Sequence, residues 1–243
     1  MLEIKNLSKK YSDGKLAVDC LNMVVEDGDV YGFIGKNGAG KTTTLKSCFG
    51  MIPFDSGEIL LDGVSILEEP LRCKKAMAFV PDSPCLEEYM TGIQYINFVC
   101  DMYEVSQKKR VEKINYYALK FCMQDQLGNL ISSYSHGMKQ KLALISAFVH
   151  EPKLLVLDEP FVGLDPQAFI ILKQEMKSLC ENGASVLFSS HILDVVEKVC
   201  NKLCIIKHGK VVCSGNTKDV IGNKNLEEVF VEVCEYENNY NTD

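Results

Sequence analysis

A glycine-rich loop between an apolar segment and a helical pattern restricts the folds open to this chain more than any other feature. Residues 35–42 read GKNGAGKT and match the pattern GxxxxGK[ST]. The apolar segment DVYGFI precedes the loop and predicts a buried strand. After Lys41, Leu45 and Phe49 are spaced i and i+4, which predicts a helix. The sequence therefore predicts a strand–loop–helix unit of the α/β class.

The composition of this loop is suited to binding phosphate groups. Glycines allow backbone N–H groups to turn towards an anion, and the N-terminus of the following helix adds a favourable dipole. In this pattern the Lys41 ammonium reaches the β- and γ-phosphates of a nucleotide, and the Thr42 hydroxyl ligates magnesium. The candidate nucleotide-binding residues of the loop are Gly35, Asn37, Gly38, Ala39, Gly40, Lys41, Thr42 and Thr43.

A second candidate site follows another apolar segment. Residues 154–159 read LLVLDE, which predicts a buried strand with two carboxylates at its C-terminal end. Open α/β sheets bind ligands at that end. Asp158 is suited to hold magnesium, and Glu159 is suited to accept a proton from an attacking water. Without the glycine-rich loop, the same residues would equally fit a solvated turn after a core strand.

The order of the predicted elements indicates a single domain over residues 1–243. Short strand-like runs separated by turns predict an N-terminal antiparallel β layer. Helical spacing dominates the stretch that we assign to an inserted helical lobe at about 84–150. After Pro152, strands alternate with helices, which indicates a mainly parallel sheet covered on both faces. Residues from about 223 to 243 are rich in Glu and Asn and predict a small appendage.

Composition narrows the partners and the compartment that we expect. A formal net charge of −7 argues against a nucleic-acid partner, which would favour a basic surface stripe. No apolar run approaches the roughly 20 residues that span a bilayer, and the N-terminus lacks the apolar core of a signal peptide. The 11 cysteines are scattered, and an odd number does not fit a complete disulfide framework. We therefore expect a protein of the reducing cytoplasm.

Four potential metal ligands occur close together at Cys200, Cys204, His208 and Cys213. Their setting favours another interpretation, because the segments LCIIK and KVVCS flank a His-Gly turn and predict a β-hairpin. The cluster also lacks the CxxC pair that is typical of zinc sites. We therefore expect Cys204 and Cys213 to occupy core positions of this hairpin.

The segment 135–140, SHGMKQ, precedes a stretch with helical apolar spacing. Ser135 can cap that helix, and the exposed N–H groups of the first turn can form an anion site, although a plain capped helix carries the same signal. Together with the loop at Gly35, the strand LLVLDEP and the turn GLDP at 163–166, the segment resembles the signature of the ATP-binding cassette (ABC) family. The resemblance extends from Leu2 to about Ile221.

This resemblance implies a P-loop NTPase core that binds ATP and Mg2+ and hydrolyses ATP. It assigns catalytic roles to Lys41, Glu159 and His191, with His191 as the switch that senses the γ-phosphate and supports Glu159. It also implies that Tyr11 stacks on the adenine ring. Asp82 stands where the family usually has a glutamine or glutamate that contacts magnesium and senses the membrane partner. Asp82 is therefore a third expected metal ligand, beside Thr42 and Asp158.

In the family, the signature segment binds the ATP of a second cassette, so Ser135 and Gly137 are expected to contact the partner's nucleotide. Asp165 corresponds to a residue that crosses the dimer interface. His136 stands where the family pattern often has glycine. Our hypothesis is that its ring lies near the partner's phosphate, where imidazole protonation would make activity depend on pH.

The function that the resemblance implies is that of the ATPase subunit of an ABC transporter. Two identical or related cassettes would close around two ATP molecules and drive a separate integral membrane permease. The chain would then be cytoplasmic and attached peripherally to the inner face of the membrane through that permease. The SHGM and FVGLDP segments look more like bacterial exporters than nutrient importers.

Two other classes of protein fit the residues less well. A nucleotide kinase or GTPase would need a guanine-reading motif or several phosphate-clamping arginines, whereas the chain contains only Arg72 and Arg110. A cassette that remodels ribosomes or nucleic acid would be expected to carry paired cassettes or long coiled coils. A non-transport ATPase with a soluble or ribosomal partner is the alternative.

Overall fold

The apolar segment before the glycine-rich loop forms a fully buried strand, and the segment after it forms a helix, as predicted. The computed structural model describes residues 1–235. The strands, numbered along the chain, are β1 (Leu2–Lys10), β2 (Leu16–Val25), β3 (Val30–Ile34), β4 (Ser56–Leu61), β5 (Val64–Ser65), β6 (Met77–Val80), β7 (Leu154–Asp158), β8 (Ser185–Ser190), β9 (Lys202–Lys207) and β10 (Lys210–Asn216).

Most of the helices lie between strands in sequence, and two follow β10, the last strand. A short 3-10 turn at Ile131–Ser133 separates the fourth helix from the fifth. The helices are α1 (Lys41–Cys48), α2 (Pro70–Lys75), α3 (Gly92–Met102), α4 (Gln107–Lys120), α5 (His136–Val149), α6 (Pro166–Glu181), α7 (Leu193–Val199), α8 (Thr217–Ile221) and α9 (Leu226–Glu235).

The strands form two sheets of different type. An antiparallel sheet has the order β2-β1-β4-β5, and a second sheet has the order β10-β9-β3-β8-β7-β6. In the second sheet every neighbouring pair is parallel except β9 and β10. The predicted antiparallel layer and mainly parallel sheet are therefore confirmed. The glycine-rich loop, Asp158 and His191 lie at or directly after the carboxyl ends of parallel strands, and this places them at one edge of the sheet.

The parallel sheet separates two apolar clusters, because successive side chains of a strand point to opposite faces. In β3, Val30 and Ile34 belong to the cluster on the helical face, whereas Tyr31 and Phe33 belong to the cluster shared with the antiparallel sheet. β7 alternates in the same way. All five residues of each strand are buried. Burial on both faces explains why these two strands read as continuous apolar runs.

The predicted helical lobe, at about 84–150, encloses α3, α4 and α5. Thr91 and Gln94 form a reciprocal capping box at the start of α3, which fixes where that helix begins. Of the predicted appendage at about 223–243, the structure describes α9, whereas residues 236–243 lie outside the described part. Among residues 1–235, no helix combines the length and apolar character needed to cross a membrane.

The Cys200–Cys213 region contains the hairpin expected from its sequence. β9 and β10 pair antiparallel, with Cys204 opposite Ser214 and Cys213 opposite Ile205. Cys204 is buried, and Cys213 is partly buried against the helical-face cluster. Burial raises the pKa of the Cys204 thiol to about 12, so this side chain is a neutral core group at physiological pH.

His150 makes the stability of the fold dependent on pH. Its ring stacks on Tyr103 with ring centroids 3.7 Å apart, and its Nε2 lies 3.3 Å from the Met77 carbonyl oxygen. Burial lowers the pKa of His150, so the unfolded chain binds a proton more readily than the folded chain. We expect the free energy of unfolding to decrease as pH falls below about 6.5, the ordinary histidine value.

Urea unfolding of His150→Phe between pH 7.5 and pH 5.5 checks this expectation. Phenylalanine keeps the stacked ring but cannot bind a proton, so the decrease in stability should become shallower. His208→Asn is the matched control, because His208 is exposed with a φ of 48°, a conformation that asparagine tolerates. An equally steep decrease in His150→Phe would show that other groups cause it.

Candidate nucleotide-binding site

A pocket of about 400 Å³ opens where the glycine-rich loop leaves β3. Most of the predicted loop residues line it, together with Tyr11, Asp82 and Glu159. Gly35 and Ala39 do not line it, although they belong to the same loop. The loop residues that line the pocket are Lys36, Asn37, Gly38, Gly40, Lys41, Thr42 and Thr43.

Two of the glycines are required by close backbone contacts. Gly40 has a φ of 110°, and a Cβ placed on it would lie 2.3 Å from the Ala17 carbonyl oxygen. A Cβ on Gly35 would lie 2.5 Å from the Ile206 carbonyl oxygen. The Lys41 ammonium, which is almost fully buried, donates to the Gly35 carbonyl oxygen at 2.7 Å. The loop therefore curls around its own lysine, between β2 and β9.

Asp158 connects the glycine-rich loop to the sheet. Its Oδ2 accepts a hydrogen bond from the Thr42 hydroxyl at 2.7 Å, and its Oδ1 accepts one from the Ser189 hydroxyl at 2.5 Å. Only 1% of Asp158 is exposed, and hydrogen bonding to both oxygens offsets the cost of burying the charge. Thr42 and Asp158 thus present adjacent oxygen atoms. Thr42 and Asp82 line the pocket, whereas Asp158 lies behind Thr42 and is not among the described residues that line it. An all-oxygen donor set suits Mg2+.

The two carboxylate oxygens of Glu159 have different partners, the Lys41 ammonium and the His191 ring. Its Oε1 lies 3.5 Å from the Lys41 ammonium. Its Oε2 lies 2.8 Å from His191 Nδ1 and accepts the His191 backbone N–H at 3.2 Å. Since a carboxylate accepts hydrogen bonds, His191 Nδ1 is the donor in this contact. The φ of Glu159 is 47°, a conformation that costs about 1–2 kcal/mol for a residue with a Cβ.

Ser189 is a site residue that the sequence motifs did not indicate. Its hydroxyl accepts the Glu159 backbone N–H at 2.9 Å while donating to Asp158, so it fixes both carboxylate residues. Ser189 lies opposite Asp158 in the β7–β8 register. The available signal was the pair of serines that ends the apolar segment SVLFSS. The sequence does not connect Ser189 with Asp158, because the two residues are 31 positions apart.

Tyr11 lines the pocket and directly follows β1. Its hydroxyl is 3.2 Å from Thr43 Oγ1, and its ring is partly exposed. The following turn is closed by hydrogen bonds from the Tyr11 N–H to the Lys15 carbonyl oxygen and from the Lys15 N–H to Asp13 Oδ1, both 2.9 Å. Asp13 and Lys15 also line the pocket, although no sequence motif indicated them.

The predicted signature residues lie outside this pocket. Ser135 is exposed, and its hydroxyl caps α5 by accepting the Met138 N–H at 3.3 Å. Neither Ser135 nor Gly137 is among the described residues that line the pocket. Asp165 caps α6 through the Ala168 N–H at 2.8 Å and pairs with Lys141 at 2.5 Å. The hydrogen bond from Lys141 is the main cause of a lowered pKa for the Asp165 carboxyl.

The arrangement has close counterparts among known proteins. The family model described as ABC transporter matches residues 18–162. The ABC-type transporter ATP-binding protein EcsA of Bacillus subtilis is 31% identical over 238 residues, which cover 96% of each chain. The linearmycin resistance ATP-binding protein LnrL of the same species is 32% identical over 224 residues, covering 90% of this chain and 70% of LnrL.

A solved structure, described as the ATP binding subunit of an ABC transporter, superposes on the chain with a TM-score of 0.92. It is 31% identical, and the match covers 96% of this chain and 99% of that one. The family model covers more than half of the present chain, and EcsA matches it over nearly its full length. The chain therefore belongs to the ABC transporter family, as an ATP-binding subunit with ATPase activity.

Proposed function

We propose that this chain pairs with a second cassette and couples ATP binding and hydrolysis to a separate membrane permease. The observation that carries the proposal is the separation of the site residues. Lys41 and Glu159 line one pocket, whereas Ser135 and Gly137 lie outside it at the start of α5. A head-to-tail pair would bring the N-terminus of each α5 to the phosphates bound by the other chain.

The residues of one chain divide the chemistry between them. Lys41 and the backbone N–H groups of residues 35–43 bind the phosphates. Glu159 accepts a proton from the attacking water, and His191 holds the carboxylate that performs this step. Thr42, Asp158 and Asp82 would hold Mg2+, which supplies positive charge to the phosphate oxygens when bound. Tyr11 stacks on the adenine ring.

The proposed direction of transport is export, and the proposed place is the cytoplasmic face of the cell membrane. The relative LnrL is named for linearmycin resistance, which supports export of a compound out of the cell. The net charge of −7 gives no support to a nucleic-acid partner. A permease would carry the membrane-spanning segments and the contacts to the cargo. Asp82, on the loop after β6, is the proposed sensor of that permease.

Capture from membranes tests the coupling to a permease. Immobilised Glu159→Gln protein is incubated with detergent-solubilised membranes and with ribosome-containing extract, each with MgATP. We expect ATP-dependent recovery of one polytopic membrane protein. A Lys41→Ala variant, which should not bind ATP, is the matched control. Recovery of ribosomes or nucleic acid in place of a membrane protein would support a non-transport ATPase.

A second measurement tests whether the captured membrane protein changes the ATPase rate of the chain. The captured membrane protein and the wild-type chain are reconstituted together into phospholipid vesicles, and phosphate release is compared with that of the chain beside empty vesicles. We expect the reconstituted pair to hydrolyse ATP several-fold faster. Equal rates would contradict coupling even if the two proteins bind each other.

A further inference from the structure

The start of α5 contacts the turn that follows β7 in the same chain. The ring of His136 lies against Gly163, because a Cβ placed on Gly163 would be 2.7 Å from His136 Cδ2 and 3.1 Å from Nε2. Gly163 has a φ of 78°. The ring therefore occupies the space that any larger residue at position 163 would need.

Two further contacts join the same segments. A Cβ on Gly137 would lie 2.8 Å from the Gly163 carbonyl oxygen, so the two backbones approach closely. One turn further along α5, the Lys141 ammonium pairs with Asp165 Oδ2 at 2.5 Å. We call His136, Gly137, Lys141, Gly163 and Asp165 the helix–turn contact. It connects the two segments that, in the proposed dimer, face the second cassette.

We propose that His136 is a positioning residue, whose ring fixes the 163–165 turn against the first turn of α5. The inference rests on the proposed function, since its consequence is measured in the dimer. With the ring in place, Ser135, Gly137 and Asp165 meet the second cassette in one fixed arrangement. Without the ring, only the Gly137 backbone contact and the Lys141–Asp165 pair hold the two segments together. The 163–165 turn then moves more freely against the first turn of α5, and that freedom is lost again on pairing.

This role differs from the one expected from the sequence. The sequence led us to expect that the protonated imidazole acts through its charge on the partner's phosphate. In the structure its Cδ2 and Nε2 edge lies against Gly163, which is a packing contact in its own chain. A ring that acts by packing can be replaced by another flat ring, whereas a ring that acts by charge cannot.

His136→Ala and His136→Phe, each in the Glu159→Gln background, separate these roles. Two quantities are measured: the affinity of the monomer for ATP, and the ATP-dependent dimerisation constant by analytical ultracentrifugation. We expect monomer affinity to stay within about twofold in both variants. Dimerisation should weaken at least tenfold in His136→Ala and recover to within about threefold of the parent in His136→Phe.

Different results overturn different proposals. If His136→Phe dimerises as weakly as His136→Ala, the ring acts through its polar atoms and the positioning role is wrong. If both variants dimerise like the parent, His136 has no role in pairing. If the Glu159→Gln parent binds ATP but does not dimerise, the proposed function itself fails, and the inference fails with it.

A double-mutant cycle with Gly163→Ala tests the contact directly. The methyl group would displace the His136 ring, so Gly163→Ala alone should weaken dimerisation through both backbone strain and loss of the ring contact. In a His136→Ala background the contact is already absent and only the strain remains. We expect the factor by which Gly163→Ala weakens dimerisation to be at least fivefold smaller in the His136→Ala background than in the parent. Additive effects of the two changes would overturn the inference.

Discussion

We expect the replacement of Glu159 with glutamine to lower the ATPase rate by about 10²- to 10⁴-fold, the range that a positioned general base contributes. Glutamine has nearly the same shape, and its carbonyl oxygen can still accept the two hydrogen bonds that His191 donates to Oε2. It cannot take a proton from water. The phosphate-binding loop does not depend on this carboxylate, because Lys41 is also held by the Gly35 carbonyl oxygen at 2.7 Å.

The measurement is single-turnover phosphate release together with equilibrium binding of ATP. We expect the release rate to collapse while ATP affinity stays within about threefold of the wild type. Glu181→Gln is the matched control, since it makes the same chemical change at an exposed carboxylate near the end of α6. A release rate within tenfold of the wild type would show that another group accepts the proton.

We expect the replacement of Gly40 with alanine to abolish ATP binding. The added methyl group would lie 2.3 Å from the Ala17 carbonyl oxygen, an approach that no side-chain rotation can relieve because both atoms are fixed by the backbone. The loop or β2 must move, and the helix α1 that begins at Lys41 moves with it. The backbone N–H groups of the first turn of α1 are then displaced, and the anion site that the helix N-terminus provides is lost.

Gly63→Ala is the control for this prediction. Gly63 also has a positive φ, 75°, but a Cβ there would meet nothing within 4 Å, and it lies in the β4–β5 turn away from the pocket. We expect Gly63→Ala to cost about 1–2 kcal/mol of stability and to leave ATP affinity unchanged. Titration with a fluorescent ATP analogue compares the two variants. Tight binding by Gly40→Ala would mean that the loop tolerates the contact.

The parts of the site that sequence predicted well are those specified by neighbouring residues. The glycine-rich loop needs particular residue types at fixed spacing between a strand and a helix, so its position and boundaries were correctly predicted. The same holds for β7, whose apolar run requires burial on both faces. Local signals suffice where the physical constraint is itself local.

The parts that sequence missed depend on contacts between distant segments. Ser189 reaches Asp158 only because β7 and β8 pair in one register. The close approach of Ala17 to Gly40 depends on how β2 packs over the loop. The contact between His136 and Gly163 joins segments on either side of β7. None of these pairs has a spacing rule, because the fold and not the local chain determines which residues meet.

The pocket is built on both sheets. Tyr11 follows β1 of the antiparallel sheet, whereas Lys41 and Glu159 follow strands of the parallel sheet. The two sheets meet at the glycine-rich loop, because Gly40 packs against the carbonyl oxygen of Ala17 in β2. A slide of one sheet over the other would therefore displace the loop as well as Tyr11, so the two sheets must keep one relative position for the pocket to keep its shape.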